Sequence, residues 1–319
     1  MDTIKIALAA LALLCGLAQA QDYPARPVKL VVPYAPGGGT DIVARLVAQK
    51  LSEAWGKAVL VENKAGGNGF IGSEYAMKQP PDGYTLLVSI ASTHATAQFL
   101  VPKLPYDPFR DFLPVTQLAL SPVVLLVNPA QPWKTLRDFV EAAKAAPVHY
   151  GSFGHGSTAH MYGELMNLNA GTKLVHVAYK GSGPALTDLM GGQIPSALLD
   201  IAATKAQIVG GKVRALAVTG PKRWQALPDV PTFTEAGYPG FEVVGWFGVF
   251  APVGTPRPII AKVAADATRA IRSPDVVAKL VELGTEPAGG TPEEFMANWR
   301  ATSDALGDVI RRAKITVEP

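Results

Sequence analysis

The sequence has one cysteine in 319 residues, Cys15, and that scarcity removes disulfide frameworks and cysteine-based zinc sites. Charge is sparse as well, with Asp, Glu, Lys and Arg together making up 17% of the chain. The 29 basic and 26 acidic side chains leave a net +3 with no run of five like charges. A nucleic-acid partner needs a concentrated basic face, so none is expected. The longest apolar run, Ile6–Leu17, has twelve residues, too few for the roughly 20 that span a bilayer. No serine carries glycine at both −2 and +2, and S-x-x-K does not occur, so hydrolase nucleophile motifs are missing and no enzyme is expected. His160 and Glu164 stand four apart on a predicted helix, but without H-E-x-x-H or a carboxylate cluster they read as capping and pairing groups. Neither a metal nor a cofactor is expected.

What is present begins with residues 1–20. Lys5, the run Ile6–Leu17 and the small-x-small triplet Ala18-Gln19-Ala20 have the order of a secretory signal peptide. Its removal predicts a soluble exported chain with no cysteine, placed in the periplasm. A lipidated Cys15 is the rival reading, and Leu14 stands where that site carries a small residue.

The remaining chain is 48% apolar by overall composition, enough for a large core, and its apolar runs alternate with helix-like periodicity. That alternation predicts an α/β fold with mainly parallel sheets. Val28–Pro33, Val59–Glu62 and Tyr84–Ser89 read as strands, separated by helices over Asp41–Trp55 and Phe70–Lys78. This is one half of a doubly wound sheet. A proline-rich loop, Val101–Pro114, precedes a second set whose strands are Val123–Val127, His149–Ser152, Leu174–Val177, Ser196–Leu199 and Arg214–Val218. Pro228–Gly240 reads as a connector, Gly245–Phe250 as a return towards the first set, and Thr291-Pro292-Glu293-Glu294 as a capping box opening the last helix. The domain reading is 21–122 with 247–319 as lobe I, and 123–246 as lobe II.

Chemistry concentrates in glycine loops that leave strands and enter helices. In the first, Gly37, Gly38, Gly39 and Thr40 offer backbone N–H groups at the positive end of a helix dipole, a site for an anion. Replacing Gly38 with valine is expected to obstruct that site. The second loop, around Gly66, Gly67, Asn68 and Gly69, contains a literal G-x-G-x-x-G, but the strand after it supplies no acidic residue for a ribose, so a dinucleotide is not expected. Ligands of open α/β sheets sit beyond such strand ends, where Ser89, Ser92, Thr93 and His94 add donors. In the second half, Gly156, Ser157 and Thr158 form a matching loop, and Asp200 ends a strand as a helix cap or as a reader of a donor on the ligand. Phe70, Phe153 and Tyr179 lie near these edges, where their rings would favour an aromatic carboxylate, unless Phe70, the first apolar residue of its helix, packs into the core instead.

Pro33, Tyr34, Gly37, Gly38, Asp41, Ala44 and Arg45 spell P-[FY]-x-x-G-G-x-x-D-x-x-A-R. With Pro81-Asp82-Gly83-Tyr84, Tyr179-Lys180-Gly181, Leu227-Pro228-Asp229-Val230-Pro231-Thr232 and Ala251-Pro252-Val253-Gly254-Thr255-Pro256, the sequence resembles the solute-binding receptors of tripartite tricarboxylate transporters, the Bordetella uptake or TctC-like proteins. The resemblance implies two doubly wound α/β lobes joined by crossover segments, of the periplasmic-binding-protein type II kind. It implies a monomer that closes on a small organic mono- or dicarboxylate and delivers it to the transporter's membrane subunits. A sensor that presents its closed form to a signalling receptor needs the same cleft and remains open as an alternative. One departure stands out: Ala65, Gly67 and Asn68 replace the family's proline, alanine and glycine in the second loop.

Overall fold

The computed structural model describes residues 23–316, so the export segment and Cys15 lie outside the described residues. Two sheets organise the chain. The first is built from β1 (Val28–Val32), β2 (Val59–Asn63), β3 (Thr85–Ile90), β4 (Phe112–Ser121), β10 (Gly245–Pro252) and β11 (Glu286–Pro287), in the order β11-β4-β10-β3-β1-β2. The second holds β5 (Val123–Val127), β6 (Val148–Ser152), β7 (Leu174–Ala178), β8 (Ser196–Asp200) and β9 (Arg214–Val218), in the order β7-β6-β8-β5-β9. Strands such as VVLLV at β5 are buried along their whole length, because helices cover both faces and leave no side for polar residues.

The sheets are mixed, which corrects the expectation of mainly parallel pairing. β1 pairs parallel with β2 and β3, and β6 parallel with β7 and β8, whereas β10 runs antiparallel to β3 and β4, and β5 antiparallel to β8 and β9. The antiparallel strands are those where the chain crosses between sheets. Ser121 ends β4, Pro122 cannot donate to a ladder, and Val123 begins β5 in the other sheet.

β4 itself is a ten-residue strand in a region read as loop up to Pro114. A proline argues against a central strand; here the register with β10 shifts between Val249 and Phe250, and Phe250 pairs with Pro114 while Val115 is passed over. The bulge accommodates the missing N–H.

Helix α1 (Gly39–Trp55) packs Val43, Val47 and Leu51 under the first sheet. The other helices are α2 (Phe70–Met77), α3 (Ala97–Leu100), α4 (Pro108–Asp111), α5 (Leu136–Ala145), α6 (Thr158–Ala170), α7 (Ser182–Met190), α8 (Ile201–Val209), α9 (Arg257–Ile271), α10 (Pro274–Glu282) and α11 (Pro292–Ala313). The capping box that opens α11 is formed, with Thr291 and Glu294 satisfying each other's backbone amides. α11 reaches across both halves: Phe295 and Trp299 pack with Leu87 and Phe250, while Leu306 and Ile310 join the core around Phe139 and Tyr150. No described helix is long and apolar enough to cross a membrane.

Candidate binding cavity

The first glycine loop is shaped by a carboxylate inside its own helix. Asp41 accepts from the Gly37 amide at 3.0 Å, from Arg45 Nε at 3.1 Å and from Asn63 Nδ2 at 2.9 Å. Burial pushes its carboxyl up, but Arg45, the Gly37 amide and Asn63 outweigh that and hold it below the usual aspartate range. The Gly37 amide is therefore committed within the loop and Gly37 does not reach the cavity wall, contrary to expectation. Helix α1 starts with Gly38 at its N-cap and no side-chain cap, so its first amides are left for something else.

Those amides face a cavity of about 470 Å³, counting its open mouth. Gly38, Gly39 and Thr40 line it at the start of α1, Thr158 at the start of α6, Ser182 at the start of α7, and Asp200 at the N-cap of α8. Four helix N-termini thus meet one space, and each brings the partial positive charge of its first turn. Among the described residues no Lys, Arg or His lines it. The remaining wall is largely apolar and aromatic, with Tyr34, Ile90, Val123, Phe153, Trp246 and Phe247.

The two halves touch around this cavity. Ala35 N donates to Lys180 O at 2.9 Å, and Thr158 N to Ser92 Oγ at 3.3 Å. Asp200 Oδ2 accepts from Ser182 Oγ, and its Oδ1 from the Ala203 amide at 3.0 Å. Burial pushes the Asp200 carboxyl above the usual range, although Ser182 and the Ala203 and Gly39 amides act in the opposite direction. The cap reading of Asp200 and its presence at the cavity both describe this one side chain.

Of the residues singled out in the sequence, Gly38, Gly39, Thr40, Ser92, Thr158 and Asp200 share the cavity wall. The second loop does not join them. Asn68 takes a left-handed conformation (φ 53°), its Nδ2 donates to Ser92 Oγ at 3.3 Å, and it abuts Gly154 of the other half; Gly66 and Gly67 pack beside Ile71 and Phe70. Asn68 thus fills the place where an anion donor was expected. Gly156 and Ser157 also stand behind the wall, where Ser157 caps α6 by accepting from the His160 amide at 3.1 Å.

Ser89 and Thr93 bond each other at 2.6 Å in the interior. His94 lies in an aromatic cluster, its ring stacked on Phe250 at 4.1 Å, and complete burial pushes its imidazole down to about 3. It is a core residue. Phe70 packs edge-on to Tyr106, and Tyr179 donates to Asp188 Oδ2 at 2.8 Å, so only Phe153 of the three aromatics expected there lines the cavity. Sequence reasoning missed Tyr34, Ser182, Ser121, Trp246 and Phe247 as lining residues, whereas Ser92, one of the donors expected at that strand end, does line the wall. The Tyr179-Lys180-Gly181 motif pointed towards Ser182, but nothing in the sequence marked Ser121 or Trp246.

The residues matched by the family profile described as tripartite tricarboxylate transporter family receptor are 43–315, nearly the whole described chain. The chain belongs to that receptor family. BugT of Bordetella pertussis is 38% identical over 278 residues, covering 86% of this chain and 85% of its own. An R. palustris protein solved with adipate shares 37% identity with a TM-score of 0.88, over 93% of this chain and all of its own. MatC of Rhodopseudomonas palustris, solved with bound malate, shares 34% identity with a TM-score of 0.85, over 90% of this chain and all of its own. This is a family of periplasmic solute-binding receptors, not of enzymes. Its two-lobed α/β architecture is the one described above.

Buried histidines make the receptor acid-sensitive. His94 and His160 are pushed down to about 3 and His176 to about 4, each chiefly by burial. A histidine held below its unfolded value binds its proton first in the unfolded chain, so stability present above about pH 6.5 is lost as pH falls towards the folded value. Urea unfolding should show a loss of about 1.4 kcal/mol per pH unit for each such ring below pH 6.5. Equal stability at pH 7 and pH 5 would contradict this account.

Proposed function

We propose that the protein captures a small organic carboxylate between its two lobes, 21–122 with 247–319 and 123–246, and hands it to the membrane subunits of a tripartite tricarboxylate-type transporter. The observation that carries the proposal is the meeting of four helix N-termini at one cavity without a basic side chain. Backbone amides and helix dipoles recognise a carboxylate through hydrogen bonds and partial charge, and the amides of Gly38, Thr40 and Ser182 are the donors on offer. The aromatic walls then suit an apolar ligand body. Carboxylates named with two related structures, adipate and malate, support the same ligand class. Contacts from both halves would make binding favour a closed arrangement over an open one.

A thermal-shift panel of adipate, malate and benzoate tests the reading, because a ligand present at 100 times its Kd adds about 2.7 kcal/mol of stability. At least one acid should raise the melting temperature and lower the radius of gyration in small-angle scattering. No response to any carboxylate, together with an uncharged molecule found in the natively purified protein, would reject it.

Ser121 gives a narrower test. Its Oγ is buried, lines the cavity and has no partner among the described residues. If a ligand oxygen satisfies this hydroxyl, Ser121→Ala should weaken binding by about 0.5–1.5 kcal/mol, the usual net worth of one hydrogen bond. Calorimetry reads the difference directly.

A further inference from the structure

Three of the chain's five histidines meet outside the cavity wall. His155 comes from the loop before α6, His160 from the first turn of α6 and His176 from β7. One ring nitrogen from each lies within 4.8 Å of the other two. The rings of His160 and His176 stack at 3.6 Å and 16°, and that of His155 is 5.1 Å from His160. We propose that these three imidazoles bind one divalent transition-metal ion of the nitrogen-preferring kind, Zn2+ or Cu2+.

The hydrogen bonds set where the lone pairs are. Ser152 Oγ lies 2.6 Å from His176 Nε2 and 3.0 Å from Gly154 O, to which it can donate. With its hydroxyl proton directed to Gly154 O, Ser152 Oγ would accept from His176 Nε2–H and leave Nδ1 for the ion, the arrangement in which an outer hydrogen bond orients a metal-binding histidine. Neither nitrogen of His155 has a hydrogen-bond partner among the described residues, and its partly exposed loop gives an ion a way in. His160 Nδ1 accepts from the Gly156 amide at 3.1 Å; coordination there exchanges this bond for a metal bond. In-plane lone pairs of stacked rings run parallel, so one ring of the His160–His176 pair must tilt to meet a shared ion. Glu164, whose Oε1 is 3.8 Å from His160 Nε2, supplies negative charge beside a helix N-terminus that would otherwise disfavour a cation.

Carboxylate capture and metal binding use different residues, so either can fail alone. The test titrates untagged protein with Zn2+ in a calorimeter and records the electron paramagnetic resonance spectrum of its Cu2+ complex. One saturable site per chain is expected, with nitrogen hyperfine coupling in the Cu2+ spectrum. His155→Ala and His176→Ala should each weaken Zn2+ binding at least tenfold. His149→Ala, an exposed histidine on β6, should leave it unchanged. His160 is buried beneath the loop and its replacement could unfold α6, so the other two variants are the decisive ones, each checked for native circular dichroism. Absence of saturable binding, retention of affinity in His155→Ala or His176→Ala, or an equal loss in His149→Ala overturns the proposal.

Discussion

Gly39→Ala should lower carboxylate affinity at least a hundredfold while leaving the fold intact. A Cβ on Gly39 would lie 2.0 Å from Asp200 Oδ1 and 3.0 Å from Ala202 Cβ, and both belong to the opposite half. No flexible side chain can move aside at Ala202, and Asp200 is held by Ser182 and Ala203. The closed contact must therefore open. Within α1, alanine is the better residue, by roughly 0.5–1 kcal/mol over glycine in a helix, so stability in the absence of ligand should hold or rise. That split between stability and affinity separates a closure defect from misfolding. Gly38→Ala is the control, since its Cβ would meet Ser182 N at 3.7 Å, an ordinary contact, and binding should change little. The sequence pointed to Gly38; the contacts move the sensitive position by one residue. Calorimetry on both variants decides it, and tight binding by Gly39→Ala would show that closure does not bring these groups together.

Asp200→Asn should bind the ligand at least tenfold more tightly at neutral pH. Among the described residues Asp200 is the cavity's only acidic lining residue, and it shares the wall with the amides proposed to hold the ligand's carboxylate. Two like charges about 6 Å apart at an effective dielectric near 20 repel by about 3 kcal/mol, well above the tenfold threshold of about 1.4 kcal/mol. Asparagine still caps α8 through Oδ1, being as good an N-cap as aspartate, and its Nδ2 would face Ser182 Oγ, which can accept in turn. The pH dependence has a definite sign. Burial raises the Asp200 carboxyl, so acidification towards that raised range neutralises it and should strengthen binding by the wild-type receptor. Asp200→Asn should lose this part of the pH dependence. Weaker binding by the variant would mean instead that the carboxylate accepts a hydrogen bond from a donor on the ligand.

The limits of sequence reading show most clearly at single residues. Gly37 and Asn68 are both expected to offer donors, since in a linear reading every glycine-loop amide is equivalent. The fold makes them differ: Asp41, four residues on, takes the Gly37 amide, and Asn68 turns into the contact with Gly154. His94 follows a strand end that leads towards the cavity. The five-residue π-helical turn Ser92–Thr96 exposes Ser92 to the cavity and sends His94 into the aromatic core, a rotation that no spacing rule encodes. Pro114 hides β4 from a sequence reading, because proline is tolerated in that strand only through a bulge supplied by pairing with β10.

By itself the sequence determined the α/β class, most strands and the placement of glycine loops before helices, because apolar period, turn residues and caps act over a few neighbouring residues. Family membership was legible for the same reason, from several short motifs in order. Tertiary structure alone decided which helix ends meet. Ser182 and Asp200 reach the start of α1, Ser121 and Trp246 reach the same wall, and three histidines up to 21 positions apart come within 4.8 Å. Those meetings depend on strand order and on how one half packs against the other, and such long-range contacts leave no local periodic trace in the chain.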